Sequence, residues 1–430
     1  MRTTITLPLQ DVSLFKKKAL QWAQQFTEIA YYDSNMYPDA YSQFESVLAV
    51  DAFTSLKTDA TNGFLELEGY FKNAKDWLFG YLGYDLKNGL ENLHSSNHDG
   101  LEFPDLFFFQ PKRLFFFEKD AVVIHYLNFV ADEIEYDLSD INQTFLVDFL
   151  SKPNLSISAK LNKAEYVNRV NRLKDYIQKG DVYEANFCME FFSEHADINP
   201  LQVYNQLNTL SHPPFAAFFR QEKNYTCCAS PERYLQKKGS QLVSQPIKGT
   251  AKRGQSIEED EWLVSQLENN PKERSENVMI VDLVRNDLSK TATKGSVEVK
   301  ELCKIYTFEQ VHQMISTITS TLDSAYSAVH VLETTFPMGS MTGAPKIEAM
   351  KIIEELEESK RGLYSGALGY FTPDGDFDFN VVIRSIYYNA QKKYVSFSVG
   401  SAITSEAAAE AEYEECLLKA KAMINVLSTQ

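Results

Sequence analysis

Three things are scarce in this 430-residue sequence: clustered basic side chains, cysteine, and apolar runs of membrane-spanning length. With 42 Lys and Arg against 59 Asp and Glu the formal charge is -17. A protein that neutralises phosphates needs a clustered basic face, so nucleic acid and anionic membrane are excluded as partners. Any anionic ligand must be drawn in by local cations or a metal. The five cysteines, Cys188, Cys227, Cys228, Cys303 and Cys416, show no paired metal-ligand spacing. Their odd number makes a poor disulfide framework, and a reducing cytoplasm is the expected setting. The opening MRTTITLPLQDVSLFKKKALQWA has no charged start followed by an apolar core, which predicts a chain neither exported nor inserted. Internal repeats and low-complexity tracts are missing too. What is there is 44% hydrophobic composition, enough over this length for large cores and, by length alone, for two or three domains.

The first 150 residues are rich in aromatics, and LFFFQPKRLFFFEKDAVVIHYL (106–127) reads as two strands joined at Gln110-Pro111. A polar stretch, SKPNLSISAKLNK, follows as a crossing segment. Then NKAEYVNRVNRLKDYIQKGD predicts a helix capped by Asn162 with Glu165 three residues on, striped by Val167, Val170, Leu173 and Ile177, and stopped by Gly180. Beyond it, strand-like runs joined by short turns alternate with helix-like runs. That order favours an α+β fold of antiparallel sheets with helices packed outside.

Several segments carry residues that could do chemistry. FPMGSMTGAPKIEAMKIIEELE sets Gly339, Ser340, Thr342 and Gly343 before Pro345, a favoured first helical position, with Ile347, Met350, Ile353 and Leu356 as the buried side of the helix. Free N–H groups there would point at an anion, which makes Thr342 and its neighbours candidate ligand contacts. The glycine spacing is not that of a nucleotide loop. Glu273 with Glu276, and Glu412 with Glu415, are spaced i, i+3 on predicted helices, each pair on one face. Solvated acidic faces are the commoner explanation of such pairs; convergence on a hard divalent cation such as Mg²⁺ is the sharper one. Lys248, in QPIKGTAKRG, sits where a strand-like run turns, and a lysine there is either a surface cation or, with its pKa lowered, a nucleophile. Glu232 in SPERYL falls on an adjoining strand if KKGSQ makes the turn, close enough to serve as an acid/base partner.

In this order SPERYL, QPIKGTAKRG, KERSENVMIVDLVRNDL, FEQVHQMIST, FPMGSMTGAPKIEAMKIIEELE, RGLYSGALGYF, VVIRSI and VGSAITSEAAAEAEYEE resemble the chorismate-utilising enzymes over about residues 160–425. FGYLGYDL and YSQFESVLAVDA are similar to the N-terminal part of the anthranilate and aminodeoxychorismate synthase component I branch. The resemblance implies an anthranilate synthase component I-like fold, with antiparallel sheets in a sandwich-like core. It divides the chain into an N-terminal part, 1–150, and a chorismate-binding catalytic part, 160–425, in one intertwined fold. Anthranilate-forming members carry alanine in PIAGT; members that aminate C4 carry lysine in PIKGT, as here.

Roles follow from the resemblance alone. Lys248 matches a lysine that adds to the chorismate ring, and Glu232 the acid that protonates the departing C4 hydroxyl before ammonia displaces the lysine. Glu276 and Glu415 match Mg²⁺ ligands, with Glu273 and Glu412 reaching the ion through water. Tyr364 and Arg384 match the carboxylate-binding pair, His312 a histidine near the ring, and Thr250, Gly400 and Ser401 further pocket walls. GDVYEAN departs from the family's GDVYQVN, placing Glu184 where isochorismate-forming relatives have a water-activating lysine. Its role is left open, and the missing lysine implies that chorismate is not hydroxylated. The implied reaction is amination of chorismate to 4-amino-4-deoxychorismate, with ammonia from a separate glutamine amidotransferase subunit. Anthranilate formation and a non-catalytic, chorismate- or amino-acid-binding regulatory subunit are the alternatives.

Overall fold

The computed structural model describes residues 1–37, 39–147 and 152–428, so the expected boundary at residue 150 lies outside the described residues. The aromatic run near the N-terminus builds the seam of the fold. Leu106–Phe117 is one continuous strand, not two broken at Gln110-Pro111. Pro111, with no N–H to give, pairs with Ala52 beside a bulge between Ala52 and Thr54, where the ladder is already interrupted. The break comes after Phe117, before Ala121–Leu127.

One edge of this seam strand carries Ser46–Thr58 along its length. Its other edge divides between Leu78–Leu82 and Ala121–Leu127. From that fork two antiparallel sheets diverge. The first continues from Ser46–Thr58 through Glu28–Asp33, Phe215–Gln221, Asn224–Ser230, Ser385–Asn389 and Tyr394–Ile403 to Glu184–Ser193. The second continues from Leu78–Leu82 through Ala367–Phe371, Phe377–Val381 and Arg233–Lys238 to Gln241–Gln245 and the long strand Val311–Thr321, which also carries Ile247–Lys252 and Glu298–Thr307. Strands from the first 127 residues thus pair with later strands in both sheets.

Alternation along the strands feeds two cores. Ile29, Tyr31, Leu48 and Val50 face one, while Ala30, Val47 and Ala49 face the other, as period-2 side chains must in a sheet covered on both faces. The first core lies under helices including Val12–Trp22, Lys163–Lys179, Pro200–Ser211 and Ala409–Leu427. The second takes in the inner faces of both sheets and helices Gly63–Ala74, Pro271–Ser289 and Ala328–Thr335. The architecture is α+β, with helices outside a two-sheet sandwich.

Local signals account for most helix ends. Lys163–Lys179 starts with a reciprocal capping box between Asn162 and Glu165 and stops at Gly180, whose φ of 86° is left-handed. Lys346–Leu356 differs from expectation: Pro345 is the N-cap, and Ile347 is 44% exposed. A strict i+3 series drifts around a 3.6-residue helix, and the face that is buried holds Ala349, Met350, Ile352, Ile353 and Leu356.

Candidate active site

Between strand Tyr394–Ile403 of the first sheet and Ile247–Lys252 of the second lies a cavity of about 560 Å³, bounded also by residues of helices Pro271–Ser289 and Ala409–Leu427. Lys248 enters it from a bulge, not from the turn the sequence suggested. Ile247 pairs with Ile315 and Thr250 with Gln313, so one extra residue is fitted in between, and bulges re-aim side chains in this way. Gly249 makes the bulge possible. Its φ is 93°, and a Cβ there would stand 3.1 Å from Glu273 Oε2.

Glu232 and Lys248 are brought together by the hairpin that KKGSQ closes, with Arg233 opposite Gln245 and Gly239 at φ 59° in the turn. Glu232 is buried, and burial raises its pKa to about 7 against the opposing pull of the Ser340 hydroxyl and Lys248. It is therefore a proton donor near neutrality. Lys248 Nζ donates to Glu184 Oε1 at 2.9 Å. Burial alone would lower its pKa as the sequence reading supposed, but Glu184, Glu276 and Glu232 outweigh burial and hold it above the usual lysine value. In this state the side chain is an ammonium, a hydrogen-bond donor and not a nucleophile.

Arg384 lies between strands Phe377–Val381 and Ser385–Asn389 with a left-handed φ of 54°, an unfavourable conformation for a non-glycine residue. Its guanidinium lines the cavity, yet among the described residues it makes no hydrogen bond or ion pair. Burial lowers its pKa, with Tyr364 and Glu415 opposing. Tyr364 also lines the cavity; burial keeps its phenol neutral, and the Cys188 thiol donates to it at 3.5 Å. An unpaired cation next to a neutral hydroxyl is a receptor for a carboxylate.

The two acidic pairs face the same space. Lys272 Nζ stands 3.2 Å from Glu412 Oε1 and 3.8 Å from Glu276 Oε1. Lys419 Nζ lies 2.6 Å from Glu415. Burial raises Glu276 to about 7, and its Oε1 is buried without a hydrogen-bond partner. Burial raises Glu273 too, whereas for Glu415 the pull of Lys419 overcomes burial and lowers it. Among the described residues no group of three or more His, Cys, Asp or Glu side chains is gathered closely enough to hold a metal by itself. The donors nonetheless suit Mg²⁺, which binds through one or two carboxylates and fills its other positions with water and ligand oxygens. Glu276 Oε1, which makes no hydrogen bond and faces Lys272 Nζ at 3.8 Å, would be one such ligand oxygen.

Thr250, Gly400 and Ser401 line the cavity as well. A Cβ on Gly400 would meet Cys188 Sγ at 2.4 Å, and the Ser401 hydroxyl donates to Glu412. Two expected residues are elsewhere. His312 is fully buried, with its ring nitrogens 2.9 Å from Thr307 and 2.9 Å from Asp260. Its strand neighbours Val311 and Gln313 line the cavity instead, because successive side chains point to opposite faces. Thr342 is fully buried with its hydroxyl on the Met338 and Gly339 carbonyls, and Ser340 and Met341 take the wall it was given. The helix after it supplies no wall either, and Gly343 serves close packing, since a Cβ there would sit 2.2 Å from Glu184 O. Polar walls not singled out beforehand include Asn186, Gln313, Lys272 and Lys419. Lys272 was legible in PKERSEN, beside the acids that drew attention there.

A buried acid, a lysine, an unpaired guanidinium and a cluster of carboxylates suited to a divalent cation define an enzyme site for a small polyanion. The chain belongs to the chorismate binding enzyme family, which it matches over residues 14–425. It is 33% identical to aminodeoxychorismate synthase component 1 of Bacillus subtilis, covering 87% of this chain and 80% of that one. It is 32% identical to anthranilate synthase component 1 of Thermus thermophilus, covering 81% and 76%. The crystal structure of anthranilate synthase component I from Streptococcus pneumoniae superposes with a TM-score of 0.77 at 25% identity, over 90% of this chain and 92% of that one.

Proposed function

We propose that this enzyme aminates chorismate at C4 to give 4-amino-4-deoxychorismate, using ammonia from a separate glutamine amidotransferase subunit. Relatives named for two different reactions are 33% and 32% identical to the chain, so overall identity does not choose between them. The observation that carries the choice is Lys248, which the PIKGT bulge delivers into the cavity that Glu232 also lines. With alanine there the site would have no nucleophile of this kind.

Arg384 and Tyr364 take a substrate carboxylate, the guanidinium supplying the charge that this acidic protein otherwise lacks. Glu276 and Glu415, with Glu273 and Glu412 beside them, would hold Mg²⁺, which would supply positive charge for the other anionic oxygens. Glu232, protonated near pH 7, gives its proton to the C4 oxygen so that it leaves as water. Lys248 Nζ forms the bond to the ring, dividing one difficult displacement into two easier ones. Ammonia then takes C4 and the lysine departs.

The relatives' designation as component 1 supports the separate ammonia-supplying subunit. No helix among the described residues is long and apolar enough to cross a membrane, and the five cysteines are all free and buried, which favours a reducing cytoplasm. The test is to supply chorismate, Mg²⁺ and ammonium to the purified chain. We expect a product that a lyase converts to 4-aminobenzoate; fluorescent anthranilate, or unchanged chorismate, overturns the reading.

A further inference from the structure

Glu184 holds the position for which the sequence assigned no role. It begins strand Glu184–Ser193, is 1% exposed, and accepts the Lys248 ammonium at 2.9 Å on Oε1. Its Oε2 is buried with no hydrogen-bond partner. Among the described residues Lys248 donates to nothing else. The carboxyl group thus keeps one acceptor position open beside the ammonium it holds. The lysine can attack only as a free amine.

We propose that Glu184 is the base of the site, taking a proton from Lys248 as Nζ attacks and returning it when Nζ departs. The proposal rests on the amination reading above. In the first step the Glu184 carboxylate accepts one proton from the ammonium, the freed electron pair of Nζ forms the bond to the ring, and the C4–O bond breaks with the proton of Glu232 going to that oxygen to make water. In the second step ammonia forms the C4–N bond, the bond from Nζ to the ring breaks, and Nζ recovers its proton from Glu184. The new C4 ammonium passes one proton to Glu232. Chorismate and ammonia have become aminodeoxychorismate and water, and all three side chains are as they began. A glutamine at this position would hold the lysine but could not take its proton.

Two measurements test this, and the first needs no chorismate. Acetylation of Lys248 by acetic anhydride, read as added mass on the PIKGT peptide and followed against pH, should reach half its limiting rate at lower pH in Glu184→Gln than in wild type, because the carboxylate that holds the ammonium is gone. Formate should move Glu184→Ala back toward the wild-type profile, entering the space the carboxyl vacates. The same pH dependence in Glu184→Gln as in wild type would mean that the carboxylate does not share the lysine's proton, and the proposal falls. The second measurement incubates the protein with chorismate and Mg²⁺ but no ammonia. Wild type should gain an adduct on Lys248, and Glu184→Gln should gain it at least about 10-fold more slowly. Equal adduct rates overturn the role of Glu184. If wild type forms no adduct while the acetylation profile shifts as expected, the amination reading fails and only the proton-sharing Glu184–Lys248 pair stands. Thermal melting of each variant accompanies both measurements, and formate rescue shows that Glu184→Ala is folded.

Discussion

Two arginines of the same sandwich have opposite surroundings. Arg233 is 1% exposed and saturated: it forks onto Asp378 at 2.9 and 3.0 Å, donates to Gln245 at 2.6 Å and pairs with Asp39. Burial pulls its pKa down, but Asp378 and Asp39 outweigh that and raise it. The cavity beside it, about 60 Å³, is lined by Asp33, Asp39 and Asp378, acids already engaged by cations. Arg384, in the larger cavity, has no such partner and its pKa is lowered. A buried charge with its hydrogen bonds made belongs to the fold, whereas Arg384 stands half-buried on the cavity wall with none among the described residues.

That contrast can be broken most severely at the acidic wall of the large cavity. A chelator should abolish turnover and added Mg²⁺ restore it, because chorismate as a dianion would otherwise meet four carboxylates; undiminished activity in excess chelator would remove the metal from the site. Lys248→Ala should come next, with loss of the 4-amino product and melting unchanged. Wild-type kcat/KM for that product would make the lysine a spectator. Glu232→Gln should lower kcat by about 10²–10⁴, the share of a positioned general acid. The wild-type rate should fall as pH rises through about 7, where Glu232 loses the proton it must give. In the variant that fall should be missing from the pH profile.

The arginines then sharpen the comparison. Arg233→Met leaves the buried Asp378 and the half-buried Asp39 without their cation, and should cost about 3–5 kcal/mol of stability in urea unfolding. Arg384→Met should leave the urea midpoint nearly unmoved while raising the KM for chorismate about 10–100-fold, in keeping with about 1.5–3 kcal/mol for a hydrogen bond to a charged group. A stability loss at Arg384 as large as that at Arg233 would show that both are parts of the fold.

Local patterns in the sequence carried their information faithfully where one turn of chain decides the outcome. The Asn162–Glu165 box, the Gly180 stop and the KKGSQ hairpin needed only nearest neighbours. Continuity of Leu106–Phe117 through Pro111 did not, because the bulge that tolerates the proline lies on Ser46–Thr58, a different strand. His312 was misplaced for the same kind of reason. Its motif identifies the strand, but whether it or Gln313 faces the cavity is a matter of sheet register.

By itself, the sequence determined the class of fold and the family motifs, since hydrophobic period, caps and turn residues act over a few positions, and it named Lys248 and Glu232 as groups to examine. The electrostatic state of those groups was decided by the tertiary structure. Lys248 was expected to be a lysine of lowered pKa and is held charged by Glu184, a residue 64 positions away in sequence and 2.9 Å away in space. Glu232 is an acid near pH 7 because two sheets enclose it. Charge state depends on what surrounds a group at a few ångströms, and in a chain of 430 residues only folding chooses those neighbours.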